Sequence, residues 1–241
     1  MKKTFLLSCL MLAAMPVMAA YTGHVYVDKN KNGVFDQSEK PLAGIKVSDG
    51  LNVVETAADG SFTLPGHERE RFIFITTPSG YKTFNRHYHK IEKKQSGYDF
   101  GLIPYSGRIR KNGSHRYIHI ADTEIFNTEN HADWVNNVRD YARNEQAAFI
   151  IHTGDICYEK GLKAHIKLMN TENMDCPVFY CIGNHDLVKG KYGEELFESI
   201  YGPVYYSFDA GNVHYVVTPM PGGDHAPGYT SDDVCRWLKN D

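Results

Sequence analysis

After residue 20, no stretch of the 241-residue chain stays apolar long enough to cross a bilayer, which takes about 20 consecutive apolar residues. Low-complexity tracts are absent, and so is any strong excess of charge. Lys and Arg number 26 against 29 Asp and Glu, a formal net charge of −3. That balance gives no electrostatic reason to expect a nucleic-acid polymer or an anionic membrane as partner. No His-Glu-x-x-His or Gly-x-Ser-x-Gly occurs, which removes the usual signals of zinc peptidases and serine hydrolases. Cysteine is sparse, with five. Cys176 and Cys181 flank a predicted strand, so their Cα atoms would lie roughly 16 Å apart, against a disulfide limit of about 7 Å. Cys157 and Cys181 sit near the ends of strands that could be neighbours. Most of the thiols are expected to be small buried groups.

The one long apolar run is at the start. Lys2 and Lys3 precede Phe5 to Val17, and Ala19 and Ala20 offer small residues for cleavage. Residues 1–20 read as a secretory signal peptide, too short to span a membrane as a helix. The chain is therefore expected to be exported, to the periplasm or beyond the cell.

Two textures follow. Residues 21–100 show short alternating runs broken by turns: Thr22 to Val27, Gly44 to Val47, Ser61 to Leu64 and Arg71 to Thr76. Asp49-Gly50 and Asp59-Gly60 are hairpin signals. No helical period appears, so this part predicts a small β-sandwich. Residues 101–115 read as a linker. From residue 116 the pattern changes to strand, helix, strand, helix, strand. Tyr117 to Ala121, Phe149 to His152 and Val178 to Ile182 are the strands, Glu129 to Asn144 and Leu162 to Met169 the helices. Such alternation implies a buried parallel sheet. A helix over Glu194 to Tyr201, a hairpin joining Tyr205–Phe208 to Val213–Val217, and a last helix capped by Ser231 complete the reading. The chain ends inside that helix, so residues 116–241 are expected to be the N-terminal portion of a longer domain. The fold class is thus α+β and multidomain.

Each predicted parallel strand ends in residues of metal-ligand type. Asp122 and Glu124 follow the first, Gly154-Asp155 the second, and Gly183-Asn184-His185-Asp186 the third. The carboxyl ends of parallel strands share a crevice, so clusters distant in sequence converge there. Carboxylates and an amide oxygen suit hard or borderline divalent cations. Any one cluster alone reads as a turn or helix cap; three, each at the end of its own strand, point to a common site.

Ile151-His152-Thr153-Gly154-Asp155-Ile156 and Ile182-Gly183-Asn184-His185-Asp186 resemble the calcineurin-like metallophosphoesterase family, as do Tyr201 to Phe208 and Trp237 to Asp241. The resemblance runs from Tyr117 to the last residue. It implies a β-sheet sandwich with flanking helices and a dinuclear metal site that hydrolyses phosphoesters with Mn, Fe or Zn. It further implies that Asp122 binds the first metal, Asp155 bridges both and Asn184 binds the second. His185 would then face the phosphate and protonate the leaving oxygen, with Asp186 orienting it. Glu124 stands where the family usually has histidine, which puts the first metal's ligand set in question. Later histidines of the family pattern are not found; His214 and His225 lie in other contexts. The expected partner is a phosphoester, associated with the cell envelope or with glycans. The rival reading is a non-catalytic exported binding or adhesion module whose second domain is degenerate.

Near the start, Asp28, Asn30, Asn32, Asp36 and Glu39 place oxygen side chains at positions 1, 3, 5, 9 and 12 of an EF-hand-like loop. Gly33 falls at position 6, and Val34 supplies its carbonyl at 7. The flanks are strands, and the surroundings are similar to bacterial surface β-sandwich repeats. Calcium bound there would be structural, strengthening a domain with a small core.

Overall fold

The computed structural model describes residues 20–105, 108–156 and 158–241. The expected signal peptide up to residue 19, and Cys157 with its suggested pairing to Cys181, lie outside them. Of the other thiols, Cys176 is buried, Cys181 partly buried and Cys235 exposed, and all three are free. Cys235, the exposed one, sits on the last helix.

The β-rich region is two sheets sharing one core. Strands β1 (Tyr21–Val27), β2 (Lys40–Pro41), β5 (Ser61–Leu64), β7 (Tyr81–Thr83) and β9 (Phe100–Pro104) make one. Strands β3 (Lys46–Ser48), β4 (Val53–Glu55), β6 (Phe72–Ile75) and β8 (Tyr88–Lys90) make the other, in the order β4-β3-β6-β8. Val25, Val47, Phe62, Leu64, Ile73, Ile75, Phe100 and Leu102 meet between them, each contributing roughly 1.5–3 kcal/mol by leaving water. The Asp49-Gly50 turn closes the β3–β4 hairpin as expected. Asp59-Gly60 does not close a hairpin. β4 and β5 belong to different sheets, and the turn carries the chain across. Strand β9 pairs in parallel with β1 and antiparallel with β7, so the β-rich region extends four residues into the segment expected to be a linker.

The second region opens on β10 (Tyr117–Ile120), α1 (Ala132–Asn144), β11 (Phe149–His152), α2 (Tyr158–Leu168) and β12 (Val178–Tyr180). The three strands are parallel in the order β10-β11-β12. A single 3-10 turn, Asn184–Asp186, follows β12. Then come α3 (Glu195–Tyr201), the antiparallel hairpin of β13 (Tyr206–Ala210) and β14 (Val213–Val217), and α4 (Ser231–Asn240). The cap of α4 is Thr230 rather than Ser231. Its hydroxyl accepts from the Asp233 N–H at 3.2 Å, while Asp233 accepts from the Thr230 N–H at 2.9 Å, a reciprocal capping box. None of these helices is long and apolar enough to cross a membrane.

Strand β6 is buried on both faces, which is why its sequence is continuously apolar. Ile73 and Ile75 face the core between the two sheets, while Phe72 and Phe74 join Phe149, Phe179, Phe208 and Trp237 in a second core between the two regions. Phe179 and Phe208 stack at 3.6 Å, and the fully buried Trp237 lies against Phe74 and Tyr205. Arg71 also crosses this junction to Glu194 at 2.9 Å and Glu198 at 3.2 Å.

Burial pushes the Glu198 carboxyl up to about 7, against the pull of Arg71. The folded chain thus holds this proton more tightly than the unfolded chain. Its stabilisation is full below pH 4.5 and is lost as pH rises through 7. Glu198→Gln should therefore raise stability at pH 8 by about 1–3 kcal/mol and give no gain at pH 4, with Arg71 still paired to Glu194. Thermal unfolding at both pH values checks this.

Candidate metal centre

The three strand-end loops pack on one another through two glycines. Gly154 has φ +102°, and a Cβ there would lie 2.5 Å from the Gly183 nitrogen. A Cβ on Gly183 would lie 2.1 Å from Asp155 Oδ1 and 2.2 Å from the Asp155 nitrogen. Only bare backbone permits that approach. Asp122 joins from the other side, its N–H donating to the Gly154 carbonyl at 3.1 Å. The His185 N–H donates to Asp155 Oδ1 at 3.2 Å. The structure thus brings Asp122, Asp155, Asn184 and His185 together around Gly154-Asp155.

Asp122, Glu124 and Asp155 all have left-handed backbone, with φ of +52°, +45° and +53°. For residues other than glycine such conformations cost of order 1–3 kcal/mol each and cluster at functional sites. Thr123, between the first two, hydrogen-bonds the buried His152 at 2.9 Å. Burial pushes His152 down to about 4, with His119 adding to the shift, so the ring is neutral.

His185 is half exposed. Its Nδ1 donates to Asp224 Oδ2 at 2.8 Å, and the Tyr158 hydroxyl lies 3.4 Å away. The bond to Asp224 holds the imidazole above its ordinary pKa, and the same bond holds Asp224 below the ordinary carboxylate value. Asp186, expected to orient His185, is fully buried and accepts from the Gly183 N–H at 2.9 Å, closing the turn beneath the histidine. The carboxylate that holds the ring is Asp224, whose own N–H donates to the Asn184 carbonyl at 3.1 Å. Sequence reasoning missed Asp224 because it lies in the irregular loop before α4, with no motif to mark it. His214 instead joins Asp209 at 2.7 Å to Asp241 at 2.9 Å, a structural link away from these loops. His225 is exposed in the loop that holds Asp224.

The donor chemistry fits divalent cations. Asp122 and Glu124 are exposed and Asp155 is half exposed. Among the described residues none of these carboxylates forms an ion pair with Lys or Arg. Carboxylates without a cationic partner are the donor type a divalent cation takes, although among the described residues these three do not draw their oxygens within 4.8 Å of one another.

A second cluster, not anticipated from sequence, brings ligand atoms of Asp49, His67 and Glu70 within 4.8 Å of one another. Those atoms are already engaged. Asp49 accepts from the Leu51 and Asn52 N–H groups and from the Asn52 side-chain amide. Glu70 accepts from the Tyr21 hydroxyl and the His67 N–H. His67 Nδ1 accepts from the Arg69 N–H at 3.3 Å, so Nε2 carries the proton and donates to the Asp49 carbonyl at 3.1 Å. That is the wrong tautomer for ligation through Nε2. A cleft of ≈ 660 Å³ lined by Phe84, Arg86, Tyr88, Asn170 and Val178 runs along β12 and includes none of the strand-end residues. The strand-end site is open surface, so its assignment rests on donor chemistry rather than on cavity size.

In the EF-hand-like loop, Asp28 and Glu39 are buried. Asp28 accepts from the Asn32 and Gly33 N–H groups at 3.2 and 2.9 Å, and Glu39 from the Lys29 and Asp36 N–H groups at 2.8 and 3.2 Å. The Asn30 and Asn32 amides both donate to Asp36 Oδ2, at 2.8 and 3.1 Å. The predicted ligand side chains thus close on one loop, while the Val34 side chain points to solvent, 59% exposed.

Two family models match the chain. Residues 115–235 match the calcineurin-like phosphoesterase model, and residues 29–104 match the N-terminal region of calcineurin-like phosphoesterases. The second match places the β-rich region with the same family. No curated protein matches. With the glycine-packed strand ends carrying Gly154-Asp155 and Gly183-Asn184-His185-Asp186, and with half of its length covered by the first match, the chain belongs to the calcineurin-like phosphoesterase family.

Proposed function

We propose that this chain is an exported hydrolase of phosphomonoesters or phosphodiesters with a centre for two divalent cations, Mn, Fe or Zn. The carrying observation is the meeting of the three strand-end clusters on the Gly154–Gly183 contact. Asp122 and Glu124 would serve one cation, Asn184 the other, and Asp155 both. The cations would supply Lewis acidity toward phosphoryl oxygens and a nucleophile at neutral pH. His185 does the proton work. With Nδ1 donating to Asp224, the ring is fixed in orientation and its charged form favoured, leaving Nε2 to donate to the departing oxygen. Asp224 would hold the ring directly, with Asp186 in the turn beneath it adding its charge. Export is supported by the Lys2-Lys3, Phe5 to Val17 and Ala19-Ala20 pattern.

Hydrolysis of aryl phosphomonoesters and diesters, assayed with each metal, tests the reading. Turnover is expected with at least one of them, and Asn184→Ala should lower it at least 100-fold. Absence of turnover with every metal, or an unchanged Asn184→Ala variant, contradicts it. Metal binding without turnover would favour the non-catalytic module instead.

The Asp28–Glu39 loop would bind one Ca²⁺ as a structural ion. The buried Asp28 and Glu39 carboxylates, at the first and last ligand positions, support this. Calcium at a hundredfold excess over Kd should stabilise the chain by about 2.7 kcal/mol. Asp28→Asn and Glu39→Gln should abolish that thermal shift, and a shift retained in both would contradict calcium binding there.

A further inference from the structure

A buried side chain outside the expected site set ties two of the three clusters together. His152 ends β11 and is fully buried. Its Nδ1 accepts from the Gly154 N–H at 3.2 Å. A neutral ring whose Nδ1 accepts carries its proton on Nε2. Nε2 is therefore the donor to Thr123 Oγ1 at 2.9 Å. One imidazole thus spans from the turn before Asp155 to the residue between Asp122 and Glu124. The ring is itself held, with His165 packed edge-on at 4.9 Å and His165 Nδ1 bonded to the Tyr201 hydroxyl at 3.0 Å.

We propose that His152 is a positioning residue of the metal centre. This rests on the metal-site reading above. The two turns it joins carry three non-glycine residues in left-handed backbone, at positions 122, 124 and 155. Such conformations persist only where the surroundings over-determine them. The Asp122 N–H bond to the Gly154 carbonyl is one tie between the turns; His152 is the side-chain tie. Without it the Gly154 N–H is left buried and unpaired, and Thr123 is free to rotate with its neighbours. His152 touches neither substrate nor cation. It acts by fixing the spacing between Asp122 and Asp155, as groups behind metal ligands commonly do.

The test is Mn²⁺ calorimetry on His152→Ala, Thr123→Val, Thr123→Ser and the His152→Ala/Thr123→Val double variant, with amide exchange of Gly154 followed in metal-free protein. His152→Ala and Thr123→Val should each weaken Mn²⁺ binding by about 10- to 100-fold. The double variant should lose no more than the worse single one, because both remove the same bond. Thr123→Ser, which keeps the hydroxyl, should bind like wild type. Gly154 exchange should accelerate in His152→Ala. Wild-type Mn²⁺ affinity in Thr123→Val, or losses that multiply in the double variant, overturns the positioning role. Thr123 is only partly buried, so its variants decide the matter even where His152→Ala fails to fold. If Asp155→Asn and Asn184→Ala weaken binding while Thr123→Val does not, the positioning role alone fails. If none of them does, the metal reading fails with it.

Discussion

Gly183→Ala is expected to abolish metal binding and to destabilise the chain. The cause is contact, not backbone conformation. Gly183 has φ −94° and ψ 178°, extended geometry that any residue adopts. Its added methyl, however, would meet Asp155 Oδ1 at 2.1 Å and the Asp155 nitrogen at 2.2 Å. Both atoms are anchored, the nitrogen by the main chain and the carboxylate by its bond from the His185 N–H. Relief requires the β11 and β12 loops to part, which moves Asp155 away from Asn184. Overpacking of this kind costs about 1–3 kcal/mol or more. Gly97→Ala is the control, since nothing lies within 4 Å of its Cβ position, and it should leave stability and metal binding nearly unchanged. Thermal unfolding and calorimetry of the two variants make the comparison.

Asp155→Asn should separate chemistry from folding. Asn accepts left-handed backbone readily and keeps an oxygen for the His185 N–H, so the local structure at φ +53° is retained. It removes the negative charge that would offset two neighbouring cations. Metal affinity and turnover are expected to fall at least 100-fold, while the metal-free melting temperature holds. A large drop in metal-free stability would mean that Asp155 serves the fold rather than a cation.

Much of this architecture was legible because it repeats local rules. The three parallel strands and their two helices follow from apolar periodicity, and β13–β14 from two apolar runs around Asp209 to Asn212. The Gly-Asp and Gly-Asn-His-Asp blocks marked the strand-end loops that pack on one another. What escaped depends on partners distant in sequence. The Asp59-Gly60 turn has hairpin chemistry, yet Ser61 to Leu64 pairs with β1 rather than with its neighbour β4, and nothing local states that choice. Strand β9 was hidden because its value lies in pairing with β1, more than 70 residues earlier. Asp224 reaches His185 from 39 positions further along the chain. His152 reads in sequence as one more buried strand residue, and only its two bonds reveal the link between clusters. The left-handed backbone at Asp122 and Glu124 was equally invisible, since acidic residues in a loop carry no sign of φ.

The central claim is that these strand ends hold two cations around Asp155. Equilibrium dialysis against Mn²⁺, with metal counted per chain in wild type and Asp155→Asn and with calcium present to fill the N-terminal loop, tests it most directly. About two Mn²⁺ per wild-type chain and fewer than one in the variant are expected; no retained Mn²⁺ in the wild type, or equal occupancy in both, would rule out a two-cation centre at Asp155.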